Sequence, residues 1–570
     1  MSTTPIEKKL TVLGAFADRR ILVMLALGFS AGLPNLLVFD TLSAWLREDG
    51  VSLEVIGFFS LATMAYAAKF LWAPLVDRVK IPLLTAWLGH RRSWMLVAQA
   101  AIMLGLWLIS GQSTVNGLAA IAALAVFVGF SGATQDIVID AWRIEAAEDA
   151  RQGAMAAAYQ WGYRIAIVVA GAVPLLLAEA KGWSFSYAVM ACLMLIGVLG
   201  VLAAPREQKH VIRPIHTEGV PARPVLDVVE WLIRGAIFAV GALIAGAGLS
   251  GNPTPLTFLT TPLGSPEAFG LAGLWKTPPV GTLLQLGAVI LGLAVIVAAC
   301  WPIPRTPTRP GAYLSQSFGA PLIDFFRRHR STAALILALI CFYRLSDFVL
   351  NIMNPFYLDL GFTKPEIAEI RKVFGTIMSM VGVLVGGIAV ARLGLMRSLI
   401  IGAFAGPLSN LIFAWLAMQG HDVRALVIAI SFDNVAQGFS GVALIAYMSS
   451  LTGQGFTATQ YALFSSLYAL PGKVVATLSG RVVEGSARAA DAGGPLALLK
   501  PLFANMTPDA LVSGAAKTGV SPAALGSGYM VFFLYSTLIG VFAIGLTFAV
   551  ARKTVASESV SAESAKEPRD

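Results

Sequence analysis

The sequence predicts an all-α, polytopic membrane protein: two six-helix bundles with two extra transmembrane helices between them, about fourteen spans in all. Three observations carry that expectation. Of 570 residues, 57% are hydrophobic and 13% charged, against about 45–50% and 25% in soluble proteins. The charges gather in short stretches between apolar runs of about 20 residues, the length that crosses a hydrocarbon core of about 30 Å. The chain also repeats itself at corresponding ranks of those runs. Composition excludes a soluble enzyme and a disordered scaffold. The net charge of +9 comes from Lys and Arg flanking apolar runs and forms no basic stripe, so nucleic acid is excluded as a partner.

In order, residues 1–19 are a cytoplasmic N-terminus, followed by a first bundle at 20–205. Its spans fall at 20–46, 55–77, 93–111, 118–146, 153–178 and 184–204. A linker at 206–330 holds two further spans, at 231–250 and 281–302. The second bundle, 331–551, has spans at 332–358, 370–391, 398–419, 425–452, 460–484 and 527–551, with an outer-side insertion at 485–526. The Pro/Gly/Thr-rich stretch 251–281 reads as surface-lying or re-entrant. The Ser/Ala/Glu/Lys-rich tail 552–570 reads as disordered. Alternate loops are basic: Arg78, Lys80, Arg91 and Arg92; then Arg206, Lys209, Arg213 and Arg223; then Arg305, Arg309, Arg327, Arg328 and Arg330. Opposite loops carry single cations such as Arg47, Lys181, Lys276 and Lys364. Positive charge stays on the cytoplasmic side, so both termini are expected there.

Scarce residues narrow the chemistry. Cys192, Cys300 and Cys341 lie in separate apolar runs, and the five histidines fall in loops or at span ends. No disulfide framework, metal site or cofactor is expected. A proton crossing the membrane must ride on carboxylates.

GFSG at 129–132 recurs at 438–441, an offset of 309, at which Tyr159 matches Tyr468, Arg164 matches Lys473 and Gly171 matches Gly480. Near the first span of each half an offset of 311 aligns Trp45 with Phe356, Gly50 with Gly361 and Ile56 with Ile367. An even number of spans separates the copies, so they point the same way across the membrane. Parallel six-helix repeats about an axis along the membrane normal are the major facilitator arrangement.

A charge at mid-bilayer costs at least about 2.5–3.5 kcal/mol on insertion scales, so each one calls for a reason. Lys69, Arg164, Arg344 and Lys473 are the basic candidates, and Asp40, Asp136, Asp347 and Asp433 the acidic ones. Arg164 and Lys473 hold equivalent places and would form a symmetric pair of cations facing an anionic ligand, or each would simply neutralise a nearby Asp. With Arg344, Lys69, Gln135, Tyr343, Asn434 and Gln437 they make the expected substrate-binding set. Asp136, Asp347 and Asp433 are the expected proton carriers, with Asp136 open to a substrate contact and Asp347 to a plain intrahelical pair with Arg344. Asp136 and Asp140 share a helix face. Asp140, Arg143 and Glu145 read as a cytoplasmic gate that breaks as the halves rock, or as charges paired merely to hold helices in register. No nucleophile–base pair is found, and no catalytic residue is assigned.

GFSAGLPNLLVFDTLSAWL (28–46), IGFFSLATMAYAAKFLWAPLVDR (56–78), GFSGATQDIVIDAWR (129–143), GYRIAIVVAG (162–171), YRLSD (343–347) and FTATQYALFSSL (456–467) resemble the AmpG family of muropeptide permeases. Asp77 and Arg78, followed by Arg91 and Arg92, resemble the facilitator signature between the second and third helices, whose acidic residue and cationic loop stabilise one access state. The resemblance implies a carrier in the bacterial inner membrane that imports anhydromuropeptides with protons for cell-wall recycling, and a monomer is expected. The alternatives are a carrier of another anionic cargo, such as a CoA thioester, and a membrane-embedded transferase.

Overall fold

A computed structural model describes residues 18–49, 65–66, 69–114, 117–146, 149–207, 217, 220–250, 253, 256, 271–277, 280–301, 307–476, 479–504, 506–507 and 509–564. Within these, the side chains of 39–40, 47, 149–150, 249–250, 271–272, 276, 282, 348–349, 351, 364, 372, 469–476 and 554–564 lie outside the description. All regular structure among the described residues is helical.

The first helix, α1, runs over 19–48 as Arg19–Leu36, a π-helical turn Leu37–Thr41 and Leu42–Glu48. Most of the expected second span lies outside the described residues. Its end is a 3₁₀ turn, Lys69–Leu71, leading into α2, Ala73–Arg78. Then come α3 His90–Ser110, α4 Leu118–Ala146, α5 Asp149–Lys181 and α6 over 183–203. The two extra helices are α7 Pro224–Ser250 and α8 Val280–Cys300, packed on each other. An amphipathic segment, α9 over 309–328, leads into the second half. There α10 covers 333–359 in pieces and α11 covers 364–393 with a π-helical turn at Ala368–Phe374. They are followed by α12 Leu395–Gln419, α13 Val423–Ser450, α14 Thr457–Ala476, α15 Ser479–Asp491 and α16 Pro522–Ser564.

Ten described helices are long and apolar enough to cross a membrane, α7 and α8 among them. Expected spans one and nine are helical but interrupted, by the π turn in α1 and by a break at Tyr343–Arg344 in α10, and expected span thirteen is covered by α14 and α15, with 477–478 between them outside the described residues. Two expectations about the chain's end are corrected. The insertion 485–526 begins inside α15 and continues through a 3₁₀ helix, Pro495–Phe503, and a short helix, Val512–Thr518. It carries its own apolar contacts, with Phe503, Leu511 and Ala515 buried in one cluster with Phe356, Tyr357 and Tyr529. The tail is not disordered from 552. It prolongs α16 to Ser564, because Ala, Glu and Lys favour a helix that a membrane span has already nucleated.

Small residues let the backbones close up. A Cβ on Gly28 would sit 2.2 Å from Tyr159 O, and one on Gly162 2.0 Å from Leu25 O, so α1 and α5 touch main chain to main chain. The seam between halves works the same way. Gly153 of α5 lies against Gly387 and Val390 of α11, Ala156 and Ala157 cluster with Val383 and Val442, and Trp161 Nε1 donates to Met380 O at 2.9 Å.

The duplication shows in a detail that no sequence offset above captured. Both α3 and α12 start at a glycine outside the usual basins, Gly89 at φ 100°, ψ 167° and Gly394 at φ 84°, ψ 165°. In each a serine four residues on returns its hydroxyl to that glycine's carbonyl: Ser93 to Gly89 O at 2.6 Å and Ser398 to Gly394 O at 2.9 Å. A positive φ is a glycine position, so the same turn was built twice.

Candidate functional site

At the basic-loop end the two halves are locked together. Arg91 is fully buried and holds two acids at once: Nη2 lies 2.7 Å from Asp77 Oδ1 and 2.7 Å from Glu145 Oε1, and Nε donates to Glu145 Oε2 at 3.1 Å. The Asp77 carboxylate then crosses to the other half. It accepts from Ala458 N at 3.2 Å, Thr459 N at 2.8 Å and Thr459 Oγ1 at 2.6 Å, at the first turn of α14. Those backbone N–H groups have no intrahelical partner and carry the positive end of the helix dipole, so an acid there is doubly favoured. Three charges buried together are tolerable only because each is paired and hydrogen-bonded.

A second link lies beside it. Arg143 donates from Nη1 to Ser449 Oγ of α13 at 3.0 Å and to Gln152 Oε1 at 3.4 Å, and its guanidinium stands 5.3 Å over the Tyr461 ring of α14. Arg78 donates to Gln316 O at 2.5 Å, tying α2 to α9. Arg92 lies in the field of Glu207, Arg206 and Arg19. The expected gate therefore divides differently. Glu145 partners Arg91, whereas Asp140 lies 3.4 Å from Arg143 and 3.9 Å from Lys69. Spacing along α4 pointed to local pairs, but the partner of Glu145 comes from α3.

Deeper in the first half, polar groups collect without partners. Gln135 is fully buried with both amide atoms unbonded among the described residues, and Asp136 Oδ1, Tyr66 OH and Arg164 Nε are in the same condition. Asp136 lies in the electrostatic reach of Lys69, Asp140, Tyr66 and Tyr163. Across the seam Arg344 of α10 pairs with Asp347 at 2.8 Å. The charge acting on Arg164 from the other half is Arg344, a like charge, and no described carboxylate lies within 4 Å of Arg164. Tyr468 of α14 adds its field to Arg344 and to Tyr163. Lys473 lies on α14 with its side chain outside the described residues, so the symmetric Arg164–Lys473 pair stays an expectation.

The remaining sites group around α13. Asp433 accepts from Gln437 Nε2 at 3.1 Å and from Ser409 Oγ at 3.2 Å, with no described cation within 4 Å. Asn434 donates to Ile430 O at 3.0 Å, back on its own helix, and Tyr343 donates to Leu399 O at 2.8 Å, which occupies it in packing α10 on α12. Sequence reasoning missed Arg371. It sits in the π turn of α11, hydrogen-bonds Asn354, lies 5.7 Å over the Tyr357 ring and acts electrostatically on Asp433. Its place at the edge of an apolar run hid it, and π turns are frequent at functional sites. Among the described residues no group of His, Cys, Asp and Glu could hold a metal ion.

Residues 21–294 match the Major Facilitator Superfamily. The putative transporter AmpG 4 of Rickettsia conorii is 29% identical over 472 residues, 82% of this chain and 91% of that protein. The anhydromuropeptide permease of Escherichia coli K12 is 30% identical over 472 residues, 82% of this chain and 75% of that protein. A solved structure of the proton:xylose symporter XylE aligns over 93% of this chain and 94% of that one, at 11% identity with a TM-score of 0.48. With the halves, the seam and the relatives together, the chain belongs to the AmpG family of transporters within the major facilitator superfamily.

Proposed function

We propose that this multi-pass transporter imports anhydromuropeptides, GlcNAc-1,6-anhydroMurNAc with or without its peptide, from periplasm to cytoplasm. Uptake is driven by the proton gradient, proceeds by alternating access in the bacterial inner membrane with both termini cytoplasmic, and serves peptidoglycan recycling. Its relatives and fold are those of transporters, not enzymes. The observation that carries the reading is that Arg164 of the first half feels the like charge of Arg344 from the second, while no described carboxylate lies within 4 Å of Arg164. Asp347 balances Arg344, so the buried charge left without a described counter-ion is that of Arg164, which an incoming anion would neutralise. A peptide or lactyl carboxylate would accept from both guanidinium groups, and the unbonded amide of Gln135 would serve the sugar hydroxyls.

That contact also couples the ligand to motion. A carboxylate bridging Arg164 and Arg344 draws the halves together at mid-membrane, while the Asp77 latch holds them together at the basic-loop end. With that end cytoplasmic, the described state presents the ligand site to the periplasm. Asp136 and Asp433 are the proton carriers of choice, since neither has a described cation within 4 Å, whereas Asp347 is held by Arg344 at 2.8 Å. The test is uptake of labelled anhydromuropeptide into right-side-out vesicles. Uptake that collapses with a protonophore, and is competed by unlabelled muropeptide but not by acetyl-CoA, fits the proposal. Uptake indifferent to the protonophore would remove the proton coupling, and competition by acetyl-CoA alone would replace the cargo.

A further inference from the structure

A separate cleft of about 590 Å³ opens where the turn 329–332 joins α9 to α10. Arg327, His329 and Arg330 line it together with the hydroxyl-bearing Ser331, Thr332 and Ser450. No acidic residue is in its lining. Arg328, also in the wall, is committed elsewhere: to Asp324 at 3.0 Å, Leu451 O at 3.1 Å and Gln460 Oε1 at 3.0 Å. Arg327 and Arg330 have no ion pair among the described residues. Burial, and Arg328 beside it, hold the His329 imidazole below its ordinary range, and its Nε2 is buried without a partner. That nitrogen is free to hydrogen-bond a ligand. Two helices also begin at the rim, α10 after Thr332 and α12 at Leu395, with the positive ends of their dipoles there.

We infer that this cleft binds a phosphate ester. Two uncommitted guanidinium groups, the Ser331 hydroxyl and an unpartnered imidazole nitrogen answer a tetrahedral anion with several acceptor oxygens, and the volume admits a glycerophosphate-sized group. The cleft stands at the latch end, because Gln460, which holds Arg328, is three residues beyond Thr457 at the start of α14. The same chemistry is offered by an anionic phospholipid headgroup and by a soluble phosphate ester.

The experiment uses the full chain, purified and delipidated in detergent. One arm titrates glycerol 3-phosphate in solution; the other titrates dioleoylphosphatidylglycerol in mixed micelles, with zwitterionic dioleoylphosphatidylcholine as control. At roughly fivefold loss per removed cation near a membrane surface, the R327Q/R330Q variant should bind about thirtyfold more weakly than wild type. R327K/R330K, which keeps both charges, should lose only about threefold. Saturable binding of phosphatidylglycerol alone, lost in the glutamine variant, supports a lipid headgroup. Saturable glycerol 3-phosphate binding, lost in the same way, supports a soluble ester. Binding of neither probe, equal binding by the glutamine variant, or phosphatidylcholine binding as tightly as phosphatidylglycerol would overturn the inference. Arg327 and Arg330 are exposed, so both variants are expected to fold.

Discussion

The loop before α3 and the loop before α12 share a backbone and differ in charge. Each ends in a positive-φ glycine answered by a serine hydroxyl. In the first half the preceding helix ends in Val76, Asp77 and Arg78, and Arg91 follows Gly89 by two residues. In the second half the matching places hold Val390, Ala391 and Arg392, with Met396 two residues after Gly394. Only the first copy can bridge acids on α2 and α4 and reach the start of α14. The duplicated turn is scaffold, and the latch is what charge adds to one copy of it.

The largest effect that breaks this comparison is Asp77→Ala. It leaves the buried Arg91 with one acid fewer and the first turn of α14 uncapped, a loss of about 3–5 kcal/mol by analogy with severed buried ion pairs. Spin labels on the ends of α4 and α13 should then report a population with the halves apart at that end, and an unchanged distance distribution would contradict the latch. Ala391→Asp, in the twin position, should leave that distribution as it was, since it acquires no Arg91. Next come Gly89→Ala and Gly394→Ala. Each forces a side chain into a left-handed conformation at about 1–2 kcal/mol, so thermal unfolding should show losses of similar size. A loss confined to one would mean that the two turns are not equivalent. Ser449→Ala removes one hydrogen bond to Arg143, worth about 0.5–1.5 kcal/mol, and should shift the label distances only slightly. The exposed Arg488–Glu484 pair, at 3.2 Å, should contribute under about 1 kcal/mol, so Arg488→Ala should unfold within error of wild type.

The apolar runs made the helices legible, because length and hydropathy are local properties. The expected span 118–146 coincides with α4, Leu118–Ala146, and the separate α7–α8 pair was visible in the same way. The break in α10 was not visible: the Arg344–Asp347 pair could be read from their spacing, but the bond of Tyr343 to Leu399 O of α12 could not. The repeated glycine turn was missed because about nine extra residues between Arg78 and Gly89 change the offset between halves. Charges buried in the membrane were easy to find but hard to pair. Glu145 stands two residues from Arg143 in sequence, yet its partner is 54 residues away, at Arg91. Arg164 was picked out as a cation at mid-span, but the like charge of Arg344 acting on it from the second half could not be read from the sequence.

The most direct measurement is the affinity of the purified full chain for GlcNAc-1,6-anhydroMurNAc-tripeptide, compared between wild type and Arg164→Ala. Loss of a charge-assisted contact worth about 1.5–3 kcal/mol predicts roughly ten- to hundredfold weaker binding. Arg164→Lys should recover part of it. Wild-type affinity in Arg164→Ala would contradict the claim that opposed cations from the two halves hold the ligand.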